Sequence, residues 1–164
     1  MLSFALLLVV GQRASPLTLP AQDGVQHAVI TPGTATLVVH EDQDGGKQNA
    51  AAKALIAAYH DPVANRSRLT VWPIADLQRW DWWPAKGHAL ADVKKSAEKN
   101  NTRILVDWTG ATRKAWGLAK GKNSLVLVGP DGNVIFVSEG ECSASQRAQL
   151  EDALKNLGLS LTTP

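Results

Sequence analysis

Three apolar, β-rich runs, each followed by a stretch of helical periodicity, fix what this chain can become. They are TATLVVHE (residues 34–41), RLTVWPI (68–74) and TRILVDW (102–108). The first has a four-residue apolar core flanked by threonines and suits a strand covered on both faces. Pro73 is expected to limit the end of the second. After the first run, Ala52, Leu55, Ile56 and Tyr59 recur on one helical face, Asp44 stands where it can cap the helix, and Asp61-Pro62 stops it. Residues 75–87 read as an irregular, tryptophan-dense connection. Leu90, Val93 and Ala97 then carry a short amphipathic helix, and GATRKAWGL (110–118) another.

The closing third is the most explicit. Two β-rich runs flank Pro130-Asp131-Gly132-Asn133, which is hairpin turn chemistry. Ser143 and Gln146 make a capping box for a last helix with Leu150, Ala153, Leu154 and Leu157 on its apolar stripe. Ahead of the first run, residues 11–30 read as short strands around a turn at Asp23-Gly24. Strand–helix–strand units imply right-handed parallel crossovers, and the hairpin adds antiparallel edge strands. The expected fold class is α/β: a three-layer sandwich with a central mixed sheet, helices on both faces, and a C-terminal hairpin plus helix.

The 164 residues suit one domain with a sizeable core, and no repeat, linker or low-complexity segment interrupts them. Net charge is +2, from 17 Lys and Arg against 15 Asp and Glu, and the basic residues are scattered. No basic stripe marks a nucleic-acid partner. The single cysteine excludes an internal disulfide and an all-cysteine metal site. MLSFALLLVV (1–10) is too short to span a bilayer, which takes about 20 residues. It reads as an export signal, clipped or atypical because it lacks a basic start and a small-residue cleavage site. The alternative is an N-terminal segment packed on a cytoplasmic domain. Residues 11–164 form the domain in either case, and the expected location is periplasmic or exported.

The element order, with VGQRASPLTLPAQDG leading and SLVLVGPDGNVIFVSEG closing, resembles the thioredoxin-like superfamily in its peroxiredoxin-type form. Within it the chain resembles the YtfJ family of exported, poorly characterised proteins. Val10-Gly11-Gln12, His40, Asn49, Asp107, Gly110, RKAWGL (113–118), Ser124, Asp131-Gly132 and Gly140 carry the resemblance, which spans residues 10–157. The tryptophans in residues 72–86 depart from the Thr/Asn/Asp-rich segment that the resemblance leads one to expect. The resemblance implies a fold and a compartment more than a reaction.

It also implies where redox chemistry would sit. Thioredoxins hold a thiolate at the start of the first long helix, where the dipole and free N–H groups stabilise it, and a second cysteine resolves the mixed disulfide. Here that junction reads His40, Glu41, Asp42, Gln43, Asp44, Gly45, Gly46, followed by Asn49, with no sulfur. The cis-proline expected before the first hairpin strand is replaced by Asn123-Ser124. Both requirements for dithiol exchange are missing, so this is a degenerate active-site loop with no catalytic residue assigned.

Other readings of the same residues are weaker. Glu41, Asp42 and Asp44 offer oxygens to a hard cation, but not at EF-hand spacing; a cap and solvated charges are the commoner use. His40 has the chemistry of a general base, with no nucleophile beside it. Cys142 precedes the last helix, with Glu139 and Glu141 just ahead of it; it reads as a small buried residue, with a redox thiol as the alternative. GLAKGKNS (117–124) is not a phosphate loop, because its spacing is short and it leads into a strand. Asn65-Arg66-Ser67 and Asn100-Asn101-Thr102 spell glycosylation sequons, and nothing else points to that setting.

Trp72, Trp80, Trp82 and Trp83 lie within twelve residues, fenced by Pro73 and Pro84. Exposed, they suit partner contact; packed, they make a lid over the sheet edge, and packing is the first expectation. Trp80, Trp82, Trp83, Asn123 and Ser124 are the candidate binding surface. The sequence thus leads to a non-redox binding or accessory protein that takes a protein or small ligand. It carries no cofactor or metal, no nucleic-acid partner and no membrane span. The rivals are a one-cysteine thiol peroxidase or reductase using Cys142, and a cation-binding module at the acidic loop.

Overall fold

The computed structural model describes residues 8–42 and 48–161. The elements run β1 (Thr18–Pro20), β2 (Gln26–Ala28), β3 (Ala35–Asp42), α1 (Ala50–His60), α2 (Val63–Arg66), β4 (Leu69–Asp76), α3 (Ala85–Lys99), β5 (Leu105–Asp107), α4 (Ala111–Trp116), β6 (Ser124–Val128), β7 (Val134–Glu139) and α5 (Ala144–Asn156). A single turn of 3-10 helix (Gln78–Trp80) separates β4 from α3. The main sheet has the order β5-β4-β3-β6-β7. β3 pairs in parallel with β4, and β4 with β5; β3–β6 and β6–β7 are antiparallel. This is the expected mixed sheet, with the hairpin at one edge.

Register sorts the sheet residues into two faces, because directly paired residues point the same way. On one face Leu37, Val39, Leu69, Leu125, Leu127 and Phe136 pack under Ala52, Ile56 and Tyr59 of α1 and Leu150 and Leu154 of α5. Helix α3 extends that layer beside β5, setting Ala89, Val93 and Ala97 against Leu77, Ile104 and Val106. On the other face Val38, Ile74, Leu105, Val126 and Val128 are covered by Trp116 of α4 and by Leu8, Leu19 and Val29 from the N-terminal segment. Trp116 is fully buried, and its indole N–H donates to Ser15 O at 2.9 Å.

The N-terminal segment crosses that second face from edge to edge. Gly11 N–H donates to Val134 O at 2.8 Å, and Arg13 forms an isolated bridge with Asn133 on the β7 side. At the opposite edge Ala21 bridges Leu105 of β5, and Ile104 N–H donates to Gln22 Oε1 at 2.9 Å. Leu8 is packed into the core rather than free of it.

Four expectations are corrected. Pro73 does not end its strand, since β4 continues to Asp76 and Pro73 pairs with Val39. β5 pairs only with Ile74–Asp76, so at Pro73 one side of β4 lies beyond the end of its neighbour, where a proline is tolerated. Helix α3 begins at Ala85 and runs 15 residues, absorbing the end of the supposed irregular connection; alanines fill its buried face, a weaker apolar signal than leucines would give. Helix α1 begins at Ala50 with Asn49 at the cap position, not at Asp44. Gln43, Asp44, Gly45 and Gly46 lie outside the described residues.

The last correction concerns the tryptophans. Trp72 and Trp80 pack against core clusters, but Trp82 keeps 57% and Trp83 90% of its surface exposed. Half of the cluster is a lid and half is a surface. The one cis peptide bond among the described residues is Trp83–Pro84.

Candidate functional site

The parallel strands β3, β4 and β5 all deliver a polar residue at their carboxyl ends, on the N-terminal-segment face. His40 and Asp42 close β3, Asp76 closes β4 and Asp107 closes β5; the register sets Asp42 beside Asp76 and Asp76 beside Asp107. Ser124, the first residue of β6, is directly opposite His40. In open α/β sheets the carboxyl ends of parallel strands are where ligands collect.

His40 is 2% exposed, and neither ring nitrogen has a hydrogen-bond partner among the described residues. Its Nε2 lies 3.7 Å from Asp76 Oδ2, too long for a hydrogen bond and close enough for charge to matter. Burial pushes the imidazole below its usual range; Asp76 and Asp107 oppose that shift, and Arg113 reinforces it. Burial thus outweighs the neighbouring carboxylates and favours the neutral imidazole.

Asp76 is shared. Arg113 Nε lies 3.8 Å from the same Oδ2, and Asp76 Oδ1 accepts the Gln78 N–H at 3.1 Å. Arg113 Nη2 donates to Gln78 Oε1 at 2.7 Å, and Gln78 Nε2 donates to Thr109 O at 3.0 Å. Gly110 holds the centre of this clasp with φ +65°; a Cβ there would stand 2.8 Å from Gln78 Oε1. The left-handed backbone favours glycine here, and any side chain would also displace the Gln78 amide.

Asp107 anchors the start of α4. Its Oδ1 accepts the N–H of Ala111 at 2.9 Å and of Thr109 at 3.2 Å, and its Oδ2 accepts that of Thr112 at 2.8 Å. Burial alone would raise its pKa, but these backbone donors outweigh it and hold the carboxyl below the usual range. This is an anchor for the chain, with its acceptor capacity spent on backbone.

The rest of the predicted loop splits into two roles. Glu41 forms an ion pair with Lys53 of α1; burial raises its pKa and Lys53 counters. Asn49 is buried with a left-handed φ of 61°. Its N–H donates to Glu141 Oε2 at 2.9 Å, its Nδ2 to Gly140 O at 3.0 Å, and its Oδ1 accepts the Cys142 N–H at 2.6 Å. It ties the head of α1 to the turn before α5.

That tie brings Cys142 beside the helix start, which chain position alone does not suggest. Cys142 is nonetheless 1% exposed and sits in the apolar layer between α1 and α5. Asn123 and Ser124 are buried as well, unlike the exposed indoles with which the sequence grouped them. Trp82 and Trp83 are exposed, and Trp80 is half-buried beside them. Among the described residues no group of three or more His, Cys, Asp or Glu is arranged to hold a metal ion, and no helix is long and apolar enough to cross a membrane. Asp76 and Gln78, at and just after the end of β4, meet Arg113 of α4, more than thirty residues on, so no short motif contains all three. Their signal is the recurrence of aspartate at the end of consecutive parallel strands.

Comparison with known proteins agrees with this geometry. Residues 87–157 match the family profile described as "Bacterial protein of unknown function (YtfJ_HI0045)". No curated protein sequence matches the chain. Among solved structures it is similar to a putative thiol:disulfide interchange protein DsbE from Chlorobium tepidum, with 17% identity, TM-score 0.64 and coverage of 90% of this chain and 99% of that one. The thioredoxin domain of a thiol-disulfide oxidoreductase from Bacteroides vulgatus gives 15% identity, TM-score 0.62 and coverage of 91% and 97%. The peroxidoxin BcpB from Mycobacterium tuberculosis gives 17%, 0.62, and 92% and 97%. At these identities the likeness shows the fold: the chain is thioredoxin-like, with peroxiredoxin-like neighbours, as the sequence resemblance implied.

Proposed function

We propose that this thioredoxin-like domain is a binding or accessory protein that performs no dithiol or peroxide chemistry. The observation that supports it most directly is the state of the only thiol. Thiol–disulfide exchange needs an accessible thiolate and a resolving partner. Cys142 is 1% exposed among apolar side chains, and the chain has no second cysteine. The end of β3, where a redox pair would follow, instead presents a buried neutral histidine and a Glu41–Lys53 ion pair. His40 is as inaccessible as Cys142, which argues against a general base acting on an external substrate.

The test is turnover. With dithiothreitol present, the purified chain is expected to leave insulin disulfides and hydrogen peroxide untouched beyond the uncatalysed rate, beside an active thioredoxin as control. Reductase or peroxidase turnover that is lost in Cys142→Ser would overturn the proposal. The reading includes export, supported by the apolar run at residues 1–10. Recovery of the tagged protein only in a cytosolic fraction would remove that part.

A further inference from the structure

In front of helix α3 a groove of about 250 Å³ is lined by Trp80, Trp82, Pro84, Ala85, His88 and Asp92, among others. Its walls are mostly apolar, yet it carries one carboxylate. The Asp92 side chain makes no hydrogen bond or ion pair among the described residues. Trp82 leaves 57% of its surface in solvent. A large exposed indole beside a free carboxylate is an unusual use of surface.

The indoles nearby already gather cations. The Arg79 guanidinium lies 5.3 Å from the centre of the Trp80 ring, and the Lys86 ammonium 4.6 Å from that of Trp108. Trp82 has no such partner among the described residues. The Lys86 charge is also answered by Asp81 at 2.6 Å, so it adds little repulsion in the groove.

We propose that this groove binds a compact alkylated ammonium group, its methyl shell against the Trp82 indole, which has no cation on it among the described residues, and its charge answered by Asp92. Aromatic faces attract cations through the ring quadrupole, and a weakly hydrated quaternary ammonium gives up little water on entry. An anion would meet the Asp92 carboxylate. A neutral apolar group would cover that carboxylate without pairing it. The inference goes beyond the binding role proposed above and rests on it.

The experiment is an NMR titration of the full chain, following indole N–H signals, with choline, its neutral isostere 3,3-dimethylbutan-1-ol, and cellobiose. Choline is expected to move the Trp80 and Trp82 signals and to bind about tenfold more tightly than the isostere. Asp92→Asn and Trp82→Leu should each weaken choline about fivefold or more, while Trp83→Ala stays within about twofold. Unchanged thermal melting of these exposed-site variants establishes that they fold. No shift up to about 50 mM choline, where even millimolar binding would saturate, would overturn the proposal. So would equal binding of the isostere or of the sugar. If the titration fails while insulin and peroxide remain untouched, the non-redox reading stands; disulfide turnover removes that reading whatever the titration gives.

Discussion

Asn49 and Cys142 are joined across the fold: the side-chain oxygen of Asn49 accepts the backbone N–H of Cys142 at 2.6 Å. The same side chain donates to Gly140 O, and the Asn49 backbone N–H reaches Glu141. One residue thus links the entry of α1 to the turn between β7 and α5, ninety residues on. Where dithiol relatives of this fold keep a reactive sulfur near a helix start, this chain keeps a structural amide.

Replacing Asn49 should therefore loosen two helices at once. Asn49→Ala removes two side-chain hydrogen bonds, one buried and one partly buried, and places a Cβ-bearing residue without a local polar partner at φ 61°. The expected cost is about 2–4 kcal/mol, read from urea denaturation. Asn49→Gly relieves the backbone but not the lost bonds, and should fall between wild type and alanine.

Asp107→Ala should cost about 2–4 kcal/mol, because three backbone N–H groups at the head of α4 lose their acceptor. Asp107→Asn keeps the shape and loses the charge, and should cost less. The difference between the two, measured by the same denaturation, separates geometry from electrostatics.

Acid should destabilise the domain in two stages. The folded-state pKa of His40 is lowered by burial, so below the ordinary imidazole value of about 6.5 the unfolded chain takes a proton that the folded chain refuses. Stability then falls as pH drops from about 6.5 toward the folded value. Asp107 acts further down: its folded pKa is depressed by backbone donors, so its contribution is present above about 3.9 and is lost as pH falls through the folded value. Thermal melts from neutral pH to pH 4 should show the first stage, to which the lowered pKa of His60 adds and the raised pKa of Glu41 runs counter, and His40→Gln should make it shallower. An unchanged slope in that variant would contradict the assignment.

Cys142 should behave as a core residue. Under native conditions its reaction with a thiol reagent is expected to be at least about a hundredfold slower than in urea, since only opened molecules react. Cys142→Ser places a hydroxyl in an apolar layer and should cost about 1–3 kcal/mol. Rapid native labelling would contradict the burial described here.

The sequence made the frame legible where periodicity was strong. The hairpin at Asp131-Gly132, the Ser143–Gln146 capping box and the Ala52–Ile56–Tyr59 stripe all stand where their residues place them. It misled where a local rule met a larger context. Pro73 looks like a terminator until β5 is seen to leave that side of the strand unpaired, and α3 hides its buried face in alanine. The site was legible in part. His40 and Asn49 stand out beside a missing cysteine, but the Asp76–Gln78–Arg113 clasp exists only once the turn after β4 meets the head of α4. The exposure of Trp82 and Trp83 depends on which side of a turn they fall, and composition carries no information about that.

The N-terminal segment does more than cover a face. An open sheet ends in two strands with unused N–H and C=O groups, ready to pair with another molecule. Here residues 11–14 pair with the start of β7, and residues 21–22 with the start of β5, so a single stretch of chain covers part of both margins of the sheet. Peeling it away would uncover sticky borders on opposite sides of one molecule, the arrangement that lets copies add end to end.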